Sequence, residues 1–425
     1  MTAQPQNLQT QAETALLQLL ANLKLDGARL EAADRLRKKG LPHRRVEEWK
    51  YTDLRALLKD VPPLPGRVAQ AHATTGGQDA LVPADIILNV VNGVPQDFET
   101  DTASRSGKAN ANKAVSISRG IASSAGFHEK ASVTVDLNLA LASSGFVIKV
   151  GKAEQAPVIF IDHSVSGGDA VTAACRHSIV VEAGAKAVLV ERFSGPDGLG
   201  YIASGGLSVR VEDGASLTHA RVVSEGSQSS HLGAIGARIG TDATYEPFVM
   251  TIGSHLVRTD IHVTFEGEHS HAGIRGATLV KGKQHTDMTL EVDHASPNCT
   301  SVEQFKSVIA DDARAVFQGK IMVKSIAQKT DAKMMSQGLL LSENGEFLNK
   351  PELEIFADDV VCGHGATCGD IDEEMLFYLL SRGIPSAIAE TMMVQAFVAE
   401  TIENTEQPEI IEALESILAD WLARR

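Results

Sequence analysis

The sequence predicts a mainly β protein, with a parallel β-helix (solenoid) core flanked by N-terminal and C-terminal α-helical regions. Three observations carry this reading. A small turn unit recurs: Glu182-Ala183-Gly184-Ala185, Glu212-Asp213-Gly214-Ala215, Thr241-Asp242-Ala243, Asp311-Asp312-Ala313 and Glu343-Asn344-Gly345-Glu346. The first three alanines lie 30 and then 28 residues apart (185, 215, 243). Turn chemistry at a near-fixed period, with strands between, marks a solenoid. From about Val133 to Val361 almost no helical period appears, so the crossover helices of a doubly wound sheet are missing. Aromatic residues make up only 4% of the 425, so the core must be stacked from Val, Ile, Leu and Ala. At this length the chain exceeds the roughly 250–300 residues at which one compact core stops growing, which again favours an elongated repeat.

The elements follow in order. Residues 1–66 form an N-terminal helical region: Leu16, Leu17, Leu20 and Leu23 recur at helical spacing, and Asp26 can cap a second helix that Gly40 and Pro42 end. Pro62, Pro63, Pro65 and Gly66 make a breaker-rich linker. Residues 67–132 hold the start of the β-region, with short apolar runs such as Ile86–Val91 and a polar, mobile segment at Asp101–Lys113. Residues 133–369 are the β-helix core. Residues 370–425 return to helices: Asp370 and Glu373 have capping-box spacing for a helix that Gly383 and Pro385 close, followed by Ser386–Asn404 and Pro408–Arg425. In the last, Ile410, Ile411, Leu414, Ile417, Leu418, Trp421 and Leu422 form one apolar stripe suited to packing within the chain.

Composition excludes several classes. A net charge of -15 and a pI near 5.4 argue against nucleic acid or an anionic membrane as partner. No apolar run approaches the ~18–20 residues of a membrane span, and the start lacks the basic-then-apolar order of a signal peptide. Four cysteines give no disulfide framework, so a reducing cytoplasm is the expected compartment. No enzyme motif is present. Gly276 to Gln284 is the nearest to a phosphate loop, but it has one residue too many and Gln284 where Ser or Thr binds magnesium.

Chemistry concentrates in PELEIFADDVVCGHGATCGDIDEE (Pro351–Glu374). Cys362, His364, Ala366 and Cys368 are spaced by two, so an extended backbone puts their side chains on one face. Soft ligands there suit a soft metal or an iron–sulfur species; the plainer alternative is a small buried hydrophobe at Cys362 and a hydrogen-bonded turn residue at His364. His269 and His271 form an HxH pair, with His255, His262, His285 and His294 within the same stretch; zinc or iron is conceivable, ordinary surface histidines the plainer reading. Trp49 reads as a core anchor.

This stretch resembles the core signature of the SufB/SufD family of iron–sulfur cluster assembly scaffolds. ARAVFQGKIMV (Ala313–Val323), AQKTDA (Ala327–Ala332), LLLSENGEF (Leu339–Phe347) and PELEI carry the resemblance upstream, and EEWKYTDLRAL (Glu47–Leu57) looks like its SufD side. The SufB-type cysteine before the LLLS strand is Gly338 here, and an EHEAT-like segment is Gly363 to Thr367. The resemblance implies a right-handed parallel β-helix and a non-catalytic scaffold subunit that pairs with SufB at the end of the β-helix. It implies that the C-terminal helices bind the ABC-type ATPase SufC, which hydrolyses ATP in this chain's place. Of the two C-terminal helices, Ser386–Asn404 is the expected SufC-docking element, through Ile388, Met392, Met393 and Phe397, because methionines make an adaptable surface. Cys362 and His364 match positions at the SufB–SufD junction where a nascent cluster forms, so iron or a cluster is held transiently and no cofactor is bound stably. Cys368 departs from the pattern, which usually has an apolar residue, and is the weaker candidate ligand. The isolated chain could form a homodimer. The rival readings are a β-helix carbohydrate-active enzyme, testable on acidic polysaccharides and disfavoured by few aromatics, and an autonomous metal-binding protein, testable by tight metal binding.

Overall fold

The computed structural model describes residues 9–66, 80–98, 114–121, 132–405 and 407–424. Among these are nineteen strands and seven α-helices, numbered β1–β19 and α1–α7 in chain order. The polar segment Asp101–Lys113 lies outside the described residues.

From residue 145 on, consecutive strands alternate between two sheets, and each pairs in parallel with the strand two further on; the three earlier strands add to the start of the sheets, two of them by antiparallel pairing. The result is a parallel β-solenoid of about seven turns. One sheet runs from β2 (Val94–Pro95) and β1 (Ile86–Val91) to β19 (Val361–Gly369), the other from β3 (Val115–Gly120) to β18 (Glu346–Ile355). In-register pairing stacks like on like: Leu207, Ile235, Ile261 and Leu290 form one buried inward ladder. Such ladders make a dry aliphatic core without large aromatics.

The first three turn units form one corner of successive coils: Gly184, Gly214 and Asp242 have φ between +53° and +67°, the left-handed region, which explains glycine or aspartate at that place. Asp311, at φ +57°, turns the opposite corner, between Ile309 and Arg314. The corners stack by hydrogen bonds, Gly184 N to Asp213 O at 2.9 Å and Gly214 N to Thr241 O at 2.7 Å. The following alanine (185, 215, 243) is buried beneath the corner.

The N-terminal helices α1 (Gln11–Ala21) and α2 (Gly27–Lys39) lie against the flank of the solenoid. Thr10 and Glu13 close a reciprocal capping box on α1. Asp26 precedes α2 but makes no side-chain cap. The proline-rich linker is tied down: Thr172 donates from its amide to Pro63 O and from its hydroxyl to Pro62 O.

The strand texture expected from Val133 begins later, because Val133–Leu141 is helix α4. Its V-T-V-D-L-N-L alternation imitates a strand, but Ser132 caps a helix and both faces are buried, between α2 and strands β6 (Thr172–Val181), β8 (Ile202–Val211) and β10 (Ser230–Ile239). The polar alternates are consumed by partners: Arg35 grips Asp136 at 2.6 Å, and the Asn138 amide donates to the carbonyls of Cys175 and Ser204.

At the C-terminus, α5 (Glu373–Ser381) is capped by Asp372 rather than Asp370, its carboxylate accepting from Met375 N. Gly383, at φ +83°, closes it. Helices α6 (Ser386–Ile402) and α7 (Pro408–Ala423) pack on the outer face of the ten-stranded sheet, with Ile410, Leu414, Leu418 and Trp421 of α7 buried. No described helix is long and apolar enough to cross a membrane.

Candidate functional site

The last coil is where the solenoid stops. Strands β18 and β19 each pair with a single neighbour, β16 (Arg314–Val323) and β17 (Asp331–Leu340), and leave their other edges open. Register places Cys362 opposite Ala332, His364 opposite Met334, Ala366 opposite Ser336 and Cys368 opposite Gly338. Ala332, Met334 and Ser336 are buried and face the lumen. The shared face expected from spacing is therefore the lumen face, and among the described residues no further coil covers it.

Cys362 is half-buried against the end of the core, and His364 is exposed. Burial pushes the Cys362 thiol above its ordinary value; the backbone hydrogen bond at Ala332 opposes this, and the charges of Asp331 and Glu303 add to it. Cys362 and His364 thus offer a thiol and an accessible imidazole from one strand face, donor types that suit a soft metal. Cys368 lies apart from these two along the strand. Six residues along the strand is roughly 20 Å, and Cys368 instead lines a pocket of about 340 Å³ with Leu339, Thr367, Asp372, Met393 and Phe397.

The docking candidates divide. Ile388 and Met392 are exposed, whereas Met393 and Phe397 are half-buried along that same pocket. Helix α5 adds exposed Met375, Phe377 (72%) and Tyr378, which the sequence reading passed over. Their signal was the run Met375 to Leu380, apolar on every face of a short helix and thus more than one core can bury.

The histidines of 255–294 do not converge. His269 and His271 lie near the surface, His271 beside Glu246 at 3.2 Å. His262 and His285 are buried on the flank, the latter 2.9 Å from the Thr52 hydroxyl. His294 is inside the lumen, stacked on Phe265 and bonded to Ser301 at 2.9 Å; burial pulls its pKa down to about 3. Cys299 packs at a turn, its thiol donating to Gly267 O. Trp49 is buried, with the Arg258 guanidinium 4.4 Å above its ring.

A second interior group went unread. His163, Cys175 and His177 place their donor atoms within 4.8 Å of one another in the buried lumen near the other end. Cys175 Sγ is 3.4 Å from His163 Nδ1, and His163 Nε2 is 3.5 Å from Glu191, as a carboxylate-oriented metal ligand would be. His177 opposes that use. Its Nδ1 accepts from Phe146 N at 2.8 Å, so its Nε2 carries the proton and has no lone pair to give. Burial also pushes the Cys175 thiol up to about 12. The group is compatible with iron only after His177 changes tautomer. The Cys175-Arg176-His177 spacing, two ligands on one strand face, was the available signal.

Residues 163–397 match the family model for the SUF system FeS cluster assembly SufBD core domain. The chain is 31% identical over 372 residues to the iron–sulfur cluster assembly protein SufD of Escherichia coli, covering 86% of this chain and 85% of that one. It is 26% identical over 427 residues to an iron–sulfur cluster assembly SufBD family protein of Synechocystis, covering 93% and 91%. A matched region that begins inside the solenoid and ends in α6, together with a relative aligned over most of both chains, places this chain in the SufB/SufD family of iron–sulfur cluster assembly proteins, on its SufD side.

Proposed function

We propose that this chain is the non-catalytic scaffold subunit of a cytoplasmic SUF assembly complex. It pairs with SufB through the open last coil and binds the SufC ATPase through α5 and α6. The observation that carries the reading is the coincidence of two unpaired strand edges with Cys362 and His364 on the uncovered lumen face. An open parallel edge invites a partner strand, and a partner seated there brings its own ligands onto the same iron or nascent cluster. Two thiol and imidazole donors from one chain underfill a coordination sphere, so the cargo is shared and passes on. ATP-driven closure of SufC subunits on the C-terminal helices then changes the access to that junction.

The test is co-expression with SufB and SufC followed by purification through a tag on this chain. Recovery of all three is expected, with SufB lost when the open edge of β19 carries Ala366→Pro; Val361, by contrast, already spends its N–H on Thr330 O at 2.8 Å. Elution of this chain alone, or as a homodimer under the same conditions, would overturn the reading.

A further inference from the structure

Near the first coils the lumen gathers metal-binding side chains from both sheets. His163 comes from β5 (Val158–Ser164) in one sheet, and Cys175 and His177, two apart on β6, come from the other. All three are buried, and their donor atoms lie within 4.8 Å of one another. His163 Nε2, His177 Nε2 and Oε1 of the neighbouring, fully buried Glu191 close no hydrogen bond. Buried polar atoms are rarely left bare, and three in one cluster mark a place built for something more than packing.

The spacing fits one metal ion. Tetrahedral bonds of roughly 2.3 Å to sulfur and roughly 2.0 Å to imidazole set those two donors roughly 3.6 Å apart. Cys175 Sγ and His163 Nδ1 are 3.4 Å apart. The His163 ring is held for this use: it stacks on Phe193 at 3.9 Å, and its other nitrogen lies 3.5 Å from Glu191, the carboxylate placement that orients metal-bound imidazoles. Burial lowers both histidines, His177 down to about 3, which keeps them in the neutral form that binds metal. A cavity of about 10 Å³ touches His163, Cys175 and Glu225, room for about one water as a further ligand.

We propose that His163, Cys175 and His177 hold a zinc ion that staples the two sheets across the lumen, apart from the cargo at Cys362 and His364. Imidazole suits zinc, copper, iron and nickel, while thiolate suits zinc, copper(I) and iron–sulfur clusters; zinc is the divalent ion that serves both. Loading breaks the S–H bond of Cys175 and forms a Zn–S bond, and the proton leaves to solvent. Burial pushes that thiol up to about 12, so the metal itself must displace the proton and affinity rises with pH. His177 moves its proton from Nε2 to Nδ1 and surrenders the 2.8 Å bond from Phe146 N, a loss that the metal–nitrogen bond offsets.

The test uses the full chain without a histidine tag, carrying Cys362→Ala and Cys368→Ala so that Cys175 and Cys299 are its remaining thiols. Titrated without oxygen with Co(II), this parent should develop a thiolate-to-metal charge-transfer band that saturates at one equivalent, and Zn(II) should bleach it. X-ray absorption of the zinc-loaded parent should show one sulfur neighbour at roughly 2.3 Å, the other neighbours being nitrogen or oxygen. Adding Cys175→Ser should abolish the band, and His163→Gln or His177→Gln should weaken binding by roughly tenfold or more. The absorption spectrum needs no change within the site, so it decides the matter even where a variant fails to fold. A parent that binds no stoichiometric zinc, or a bound ion without a sulfur neighbour, would overturn the proposal. So would a band that survives Cys175→Ser, or binding undiminished in both histidine variants.

Discussion

Lys306, on the outer face of β15 (Thr300–Ile309), donates from its buried ammonium to the backbone carbonyl of Phe397 on α6, 2.7 Å away. The same nitrogen pairs with Glu400 and lies 4.6 Å from the Phe397 ring. One side chain thus pins the expected docking helix to β15. Lys306→Met keeps the stem and removes the charge, leaving the carbonyl unpaired. It should cost about 1–3 kcal/mol and speed amide exchange across 394–402. Unchanged protection there would show that α6 is held by its apolar face alone.

Helices α5 and α6 leave Phe377, Ile388 and Met392 exposed, whereas α7 buries its stripe. Phe377→Asp and Ile388→Asp should therefore abolish SufC co-purification without lowering the melting temperature. Removal of the residues after Gln407 should lower it, because Trp421 and Leu418 leave the sheet uncovered. SufC binding at wild-type strength by both Asp variants would put the docking site elsewhere.

Acid should destabilise the fold early. Burial holds His177 and His294 down to about 3 and His285 down to about 4, and also lowers His163 and His219. Unfolded histidine protonates near 6.5, so between there and the folded values the unfolded state binds more protons and stability falls as pH falls. Each such histidine contributes about 1.4 kcal/mol per pH unit. Glu191 adds to this at lower pH: burial alone would raise it, but Arg221 with His163 and His219 holds it well below 4.5, and that support is lost as pH falls past the unfolded value. Urea unfolding from pH 7 to 5 should show the slope, and His294→Gln should reduce it by one histidine's share. A flat profile would contradict the buried, neutral assignment.

The corner of each coil makes a paired prediction. Gly214 has φ +65°, and a Cβ there would meet only Gly184 Cα at an ordinary contact distance of 3.9 Å, so Gly214→Ala should cost about 1–2 kcal/mol from backbone strain alone. Asp242 already holds the equivalent corner at φ +53°, so Asp242→Gly should stay within about 1 kcal/mol of the wild type. Equal losses at both would mean that the corner is fixed by contacts rather than by φ.

The solenoid was legible because its corners repeat a local necessity: a left-handed residue followed by a small one, at Gly184-Ala185 and Gly214-Ala215. The shared face of Cys362 and His364 was legible from the period of two. What could not be read was which end of the fold that face meets, since this depends on where the stack of coils stops. Helix α4 was misread because Asp136 and Asn138 are buried by long-range partners, Arg35 and the Ser204 carbonyl, and alternation alone cannot distinguish that from a strand. His262, His285 and His294 looked like surface residues because a polar lumen and a covered flank are products of tertiary packing.

The central claim is that Cys362 and His364 act together on cargo at the open end. The direct measurement is iron and acid-labile sulfide recovered with the SufB–SufC complex from cells carrying each variant. Cys362→Ala and His364→Ala should leave the complex intact and deplete both iron and sulfide, while Cys368→Ala, beside α6, leaves them unchanged. Wild-type iron and sulfide with His364→Ala, together with loss in Cys368→Ala, would contradict the account and move the site along the strand.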